Sequence, residues 1–229
     1  GFLVTGSWVR RPQFWAFCKS RLLRVLPGYT VCVVLTALVL GPILTTLSIR
    51  DYYSHPETWG YIWGNMHFTA MQLRWSLPGV FTTNPLPNIV NGSLWTLPAE
   101  MQMYLWLALL GLIGLFKRPA VASLALIGLI FSTVKFPGWC SEFLLAEYLH
   151  MAGLFMTGAL FYLNAQRIRI NSILLAALCL LCFLLRDTPR HGYLLGLTIV
   201  YATLWFAYIP KISSAWIRGD YSYGLYLWS

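Results

Sequence analysis

The sequence predicts an all-α protein, a polytopic bundle of transmembrane helices, and three observations lead there. Of 229 residues, 58% are hydrophobic and only 10% are charged, against about 25% charged in a soluble domain. The mean hydropathy is +0.64. Apolar runs of roughly bilayer length recur along the chain, and Lys and Arg alternate between the segments that separate them. In lipid each span satisfies its own backbone by being helical, so the class follows from the composition.

The predicted spans are Val25–Ser48, Leu97–Phe116, Pro119–Val134, Leu144–Leu163, Ile173–Leu185 and Tyr193–Ile209. The tail of another is expected at Gly1–Trp8, and the start of one more at Tyr221. The Pro119 and Ile173 runs are short of the about 20 residues a span needs, so their edges are expected to extend into the flanking turns. Turn signals at Arg118-Pro119, Pro137-Gly138, Pro189 and Pro210 separate the runs. The chain opens at Gly1 inside the apolar stretch GFLVTGSW and closes at Ser229 inside YSYGLYLWS. It therefore reads as a piece of a longer membrane protein, one membrane domain over residues 1–229, truncated at both ends.

The net charge of +9 would suggest nucleic acid in a soluble protein, but its distribution is topological. Assigning the connecting segments alternately to two sides gives one side Arg10, Arg11, Lys19, Arg21, Arg24, Lys117, Arg118, Arg167, Arg169, Lys211 and Arg218. Arg50, Arg74, Lys135, Arg186 and Arg190 fall on the other. Eleven cations against five place the first set in the cytoplasm. Nucleic acid is not an expected partner; the lipid bilayer is. The long outer segment 49–94 contains TWGYIWGNMHFTAMQLRW, whose aromatics suit the membrane interface, and a further crossing there would break the charge alternation.

Several chemistries have no signature here. The five cysteines, Cys18, Cys32, Cys140, Cys179 and Cys182, imply no disulfide framework, and the CLLC at 179–182 lies within an apolar helix. There is no phosphate-binding glycine loop, no zinc-type cluster and no G-x-S-x-G turn. No metal is expected.

Three stretches carry candidate chemistry. In FCKSRLLRVLPGY (17–29), Arg21 and Arg24 stand at i, i+3 on one helix face. They suit either membrane anchoring by snorkelling side chains or a phosphate clamp, since arginine forks match phosphate oxygens in pairs. Pro27 is expected to fix where that helix enters or bends. In NGSLWTLPAE (91–100), Pro98 fits the first helical position, which puts Glu100 at the third and makes it a favourable first-turn carboxylate. Against a purely capping role, Asn91, Ser93, Trp95 and Thr96 crowd polar groups at the same boundary, and Glu100 and Tyr104 share a face at i, i+4. An ionisable group at a span's edge marks a functional site by default. In RGDYSYGLYLWS (218–229), Asp220 and Ser222 lead into an aromatic run that fits an interface belt or a site equally.

Taken in order, these stretches resemble the acyltransferase 3 family of integral membrane acyltransferases. The pieces are GFLVTGS, KSRLLRVLPGY with its R-x-x-R, NGSLWTLPAEMQMY, GLFMTGALFYL at 153–163 and GDYSYGLYLWS, and together they cover the whole chain. The resemblance implies a fold of about ten membrane helices, each needing about 20 residues. It implies transfer of an acyl group, commonly acetyl, from cytoplasmic acyl-CoA to a hydroxyl of a cell-surface carbohydrate. Acyl-CoA would be a co-substrate, with no bound cofactor, and the protein would sit in a bacterial inner membrane.

The resemblance makes Arg21 and Arg24 donor-binding and Glu100 the acidic catalytic position, with Asn91, Ser93, Trp95 and Tyr104 alongside as acceptor-site or structural residues. The family's base histidine would precede Gly1, so these residues alone would not catalyse transfer. His55, His67 and His191 fall in outer segments and do not replace it; His150 is expected to be a packing residue near a span's end. Two other classes remain open on the residues alone. A secondary transporter would show inverted repeats and broken helices, which the sequence lacks, and a non-catalytic membrane scaffold would need no base.

Overall fold

The computed structural model describes residues 1–67, 73–135, 146–188, 191–208 and 227, apart from the side chains of 133, 134, 146 and 147. Among these residues the regular structure is all helical, with no strand. The helices are α1 (Phe2–Arg10), α2 (Phe14–Leu35), α3 (Ile49–Ser54), α4 (Pro56–Met66), α5 (Thr96–Leu112), α6 (Pro119–Lys135), α7 (Ala146–Leu163), α8 (Ser172–Leu184) and α9 (His191–Tyr208). A π-helical segment, Thr36–Leu40, and a last α-helical turn, Gly41–Leu44, prolong α2.

Most expected spans fall within a few residues of an observed helix. The Pro119 and Ile173 runs match α6 and α8, and α5 ends where Gly114 takes a left-handed conformation, φ +78°. The expected start at Tyr221, the residues 144 and 145, Ile209, Cys140, Asp220 and Ser222 lie outside the described residues. The exception is the helix expected at Val25–Ser48. It begins eleven residues earlier, at Phe14, and runs to Leu44, 31 residues in all. Lys19, Arg21 and Arg24 therefore sit on a helix and not in a connecting segment. Pro27 lies inside it without ending it. Among the described residues this is the one helix long and apolar enough to cross a membrane; Pro119–Ser132, Tyr148–Leu163 and Ser172–Leu184 are shorter apolar helices.

The chain forms two compact units. The first comprises Gly1–Phe17 and Leu105–Ile217. Here α7 is central, with α1, α6 and α9 packed on it and α8 packed on α9. Close approach is built from small residues: a Cβ on Gly158 would lie 2.9 Å from the Phe2 amide nitrogen, and one on Gly111 would lie 2.1 Å from the Trp8 indole. Polar ties fix the helix ends. Asn164 Nδ2 donates to Ser123 Oγ at 2.8 Å, and Asn171 caps α8 by accepting from the Leu174 amide at 2.7 Å. The Asn171 amide in turn donates to the Tyr201 hydroxyl of α9 at 3.0 Å.

The second unit comprises Cys18–Tyr104 and Arg218–Ser229. Its core is formed by Val25, Tyr29, Cys32, Val33 and Ala37 of the long helix, Tyr52 of α3, Tyr61 of α4, and Leu77, Leu94 and Leu97. The π segment has a local cause. Pro42 has no amide hydrogen to return to the preceding turn, and the Gly41 amide bonds to Thr36 O, five residues back. The Ala37 and Leu38 carbonyls are instead met by the hydroxyls of Tyr52 and Tyr53, at 2.7 and 2.8 Å. Buried carbonyls need such partners.

Candidate active site

The second unit gathers most of the residues singled out above. Glu100 and Tyr104 lie one turn apart on α5, and the Tyr104 hydroxyl donates to Glu100 Oε1. Tyr104 is buried, at 5% exposure, while Glu100 is half-buried. The guanidinium carbon of Arg21 lies 5.6 Å from the centroid of the Tyr104 ring, within the range of a cation–π contact. Arg24, one turn further along α2, is exposed.

This arrangement corrects the expectation about the start of α5. A 3-10 turn, Ser93–Trp95, precedes it, and the α-helix begins at Thr96, so Glu100 is its fifth residue and no acidic residue occupies the first turn. Capping does not explain Glu100. Pro98 sits at the third position, where its missing amide hydrogen costs nothing because the first turn's amides have no acceptor within the helix.

It also changes the distance between Arg21 and Glu100, which the charge count set at opposite ends of a membrane path. The segment 91–104 runs antiparallel to α2: Asn91 meets Cys32, with Nδ2 to Sγ 3.6 Å, and Tyr104 meets Arg21. At 1.5 Å per residue, Tyr104 lies about 12 Å inside the helix start, level with the arginine. One tyrosine therefore joins the two groups.

Asn91 bonds in two directions. Its Oδ1 accepts from the amide and hydroxyl of Ser93, at 3.0 and 2.7 Å, and its Nδ2 donates to Leu227 O at 2.8 Å. Ser93 is thereby held in the turn, and its carbonyl accepts from Thr96 Oγ1 at 3.2 Å. Trp95 is half-buried in the same turn. Cys32, to which the sequence assigns no role, is buried here and its thiol also donates to Leu227 O, at 3.3 Å. No local pattern would have marked it.

The histidines stand elsewhere. His55 Nδ1 accepts from the Glu57 amide at 3.3 Å and caps α4, and His67 Nδ1 lies 2.7 Å from Trp63 O. His191 Nδ1 lies 3.7 Å from Cys182 Sγ. His150 is exposed and so is not the packing residue expected. Among the described residues no cluster of His, Cys, Asp or Glu could hold a metal ion.

A half-buried carboxylate near the start of an apolar helix, steadied by a buried phenol whose ring carries an arginine, is equipped to handle a proton beside an anionic ligand. The sequence profile of the acyltransferase 3 family, an acyltransferase domain, matches residues 1–229. The chain belongs to that family. It is also similar to an O-acetyl transferase of Shigella phage Sf6, 24% identical over 240 residues, covering 100% of this chain and 69% of that relative. No solved structure matches.

Proposed function

We propose that this chain forms the greater part of a multi-pass membrane O-acetyltransferase that moves an acetyl group from acetyl-CoA to a hydroxyl of a cell-surface carbohydrate. The observation that carries the reading is the Glu100–Tyr104–Arg21 group in a member of an acyltransferase family. The similarity to an enzyme called an O-acetyl transferase supports acetyl and oxygen as the transferred group and the receiving atom.

In this reaction the sugar hydroxyl oxygen bonds to the acetyl carbonyl carbon and the C–S bond to CoA breaks. The hydroxyl proton is removed as attack proceeds and ends on the CoA thiolate. The exposed cationic face of α2 gives the phosphates of CoA their partner. Tyr104 engages Oε1 of Glu100, and Oε2 is the oxygen through which Glu100 orients the acceptor hydroxyl or the base that takes its proton. Trp95 offers a flat face for a sugar ring or the adenine.

Membrane placement is supported by apolar side chains on the surface of the described residues. Ile173, Ile113, Leu124 and Ile43 are 84%, 76%, 71% and 71% exposed, a surface that water disfavours and lipid covers. Trp59 and Trp63 lie exposed one turn apart on α4, opposite the buried Tyr61, Ile62 and Asn65, as for a helix lying in the interface. The charge count then sets Arg21 and Arg24 toward the cytoplasm.

The test uses the full-length protein in proteoliposomes with labelled acetyl-CoA on the arginine side and a panel of glycans. Label appearing on one glycan class as an alkali-labile ester is expected. Acetyl-CoA consumed by no glycan, with all variants alike, would overturn the reading.

A further inference from the structure

Arg21 and Arg24 would serve as one fork if both faced a phosphate, but the protein houses them differently. Arg24 is exposed. Arg21 is half-buried, its Nε has no contact with solvent, and its guanidinium lies over the Tyr104 ring. Burial of Nε removes one edge of the guanidinium from any ligand arriving at the surface, and bidentate recognition depends on such an edge. The tyrosine beneath is itself buried and gives its hydroxyl to Glu100. A single ring thus takes a cation on its face and a carboxylate at its tip. A cation over the face draws electron density from the phenol and strengthens the hydroxyl as a donor, an effect enhanced where water is excluded.

We infer that the pair divides its work: Arg24 meets the donor phosphates, whereas Arg21 is a positioning residue that holds Tyr104 and, through it, the Glu100 carboxylate. The inference rests on the reading of this site as an acetyl-CoA-dependent transferase. It separates binding from turnover for two arginines that the sequence presents as equivalent.

The experiment uses the full-length protein in nanodiscs, with steady-state kinetics and, independently of turnover, calorimetric titration with CoA. Arg24→Ala should raise KM for acetyl-CoA and weaken CoA binding by about 10- to 100-fold, the effect of losing a charge-assisted phosphate contact, with kcat retained. Arg21→Ala should leave CoA binding within about threefold and lower kcat by about tenfold or more, the pattern of a group acting in the transition state. Tyr104→Phe should lower kcat likewise, and the double variant Arg21→Ala/Tyr104→Phe should lose no more than the worse single one. Arg21→Lys, which returns a cation to the ring face, should recover part of the loss.

Equal losses of CoA affinity in Arg21→Ala and Arg24→Ala, with kcat unchanged in both, would overturn the division of roles. Additive kcat losses for Arg21 and Tyr104 would overturn the link between them. Should Arg21→Ala fail to fold, the same cycle with Arg21→Lys and Tyr104→Phe decides it by the same criterion. A wild-type protein that binds no CoA would sink the donor assignment itself, a different failure from equal effects at the two arginines.

Discussion

Gly41 and Tyr52 meet so closely that a Cβ on the glycine would lie 1.8 Å from the tyrosine hydroxyl oxygen. That hydroxyl donates to Ala37 O at 2.7 Å, across the π segment that precedes Pro42. The glycine is what lets the phenol reach the helix backbone. Gly41→Ala should therefore expel the hydroxyl and cost about 1–3 kcal/mol as overpacking, measured as a lowered unfolding temperature. An unchanged melt would show that Tyr52 can move aside freely.

The same bond gives a pH signature. Burial pushes the Tyr52 hydroxyl up from the ordinary tyrosine value to about 12. The folded protein thus holds this proton more tightly than the unfolded chain, whose pKa is about 10. The stability linked to it is complete below pH about 10 and is lost as pH rises toward about 12. Tyr52→Phe should be less stable than wild type at pH 8, by the about 1–3 kcal/mol of an unmet buried carbonyl, and the gap should narrow above pH 10. A constant gap up to pH 12 would remove the assignment.

Asn91 makes a third case, because its two ends do different things. Asn91→Ala frees the Ser93 amide and takes one donor from Leu227 O, at a cost of about 1–3 kcal/mol. Asn91→Asp keeps the acceptor for Ser93 but sets a carboxylate oxygen against the Leu227 carbonyl, and should be the more damaging at neutral pH. Thermal unfolding of both variants tests the order.

Glu100→Gln separates chemistry from folding. Glutamine still offers Oε1 to the Tyr104 hydroxyl, so the melting temperature should hold. Turnover should fall by about 100-fold or more, the scale of positioned proton transfer. Parallel assays of melting and acetyl transfer decide it: intact turnover reduces Glu100 to a packing partner of Tyr104.

Orientation can be read by labelling. Arg11 and Arg50 are both exposed and fall on opposite sides by charge. In a cysteine-free background, an impermeant maleimide added outside spheroplasts should label Arg50→Cys and spare Arg11→Cys. The reverse pattern would invert the topology.

The relation of these features to the sequence is uneven. The Glu100–Tyr104 pair was legible because helical periodicity puts i and i+4 on one face. The Pro119–Lys135 and Ser172–Leu184 helices were legible because an apolar run bounded by turn residues leaves few alternatives. Three features were not legible. Charge in Lys19, Arg21 and Arg24 made the first half of the long helix look like a connecting segment, although a helix in lipid can carry cations wherever packing shelters or exposes them suitably. The Arg21–Tyr104 contact joins residues 83 positions apart, and no local periodicity encodes it. The span expected at Val25–Ser48 runs through Gly41-Pro42, but only the hydroxyls of Tyr52 and Tyr53, from a separate helix, show how the backbone there is satisfied.

The two bonds that converge on Leu227 O, from Asn91 136 residues away and from Cys32 195 residues away, constrain the order of assembly. The turn that leads into Glu100 closes on local bonds, but it gains its long-range anchor only once Leu227 has been made. Until then the nascent chain holds the turn without these two bonds, and contacts joining residues so far apart in sequence are slow to form.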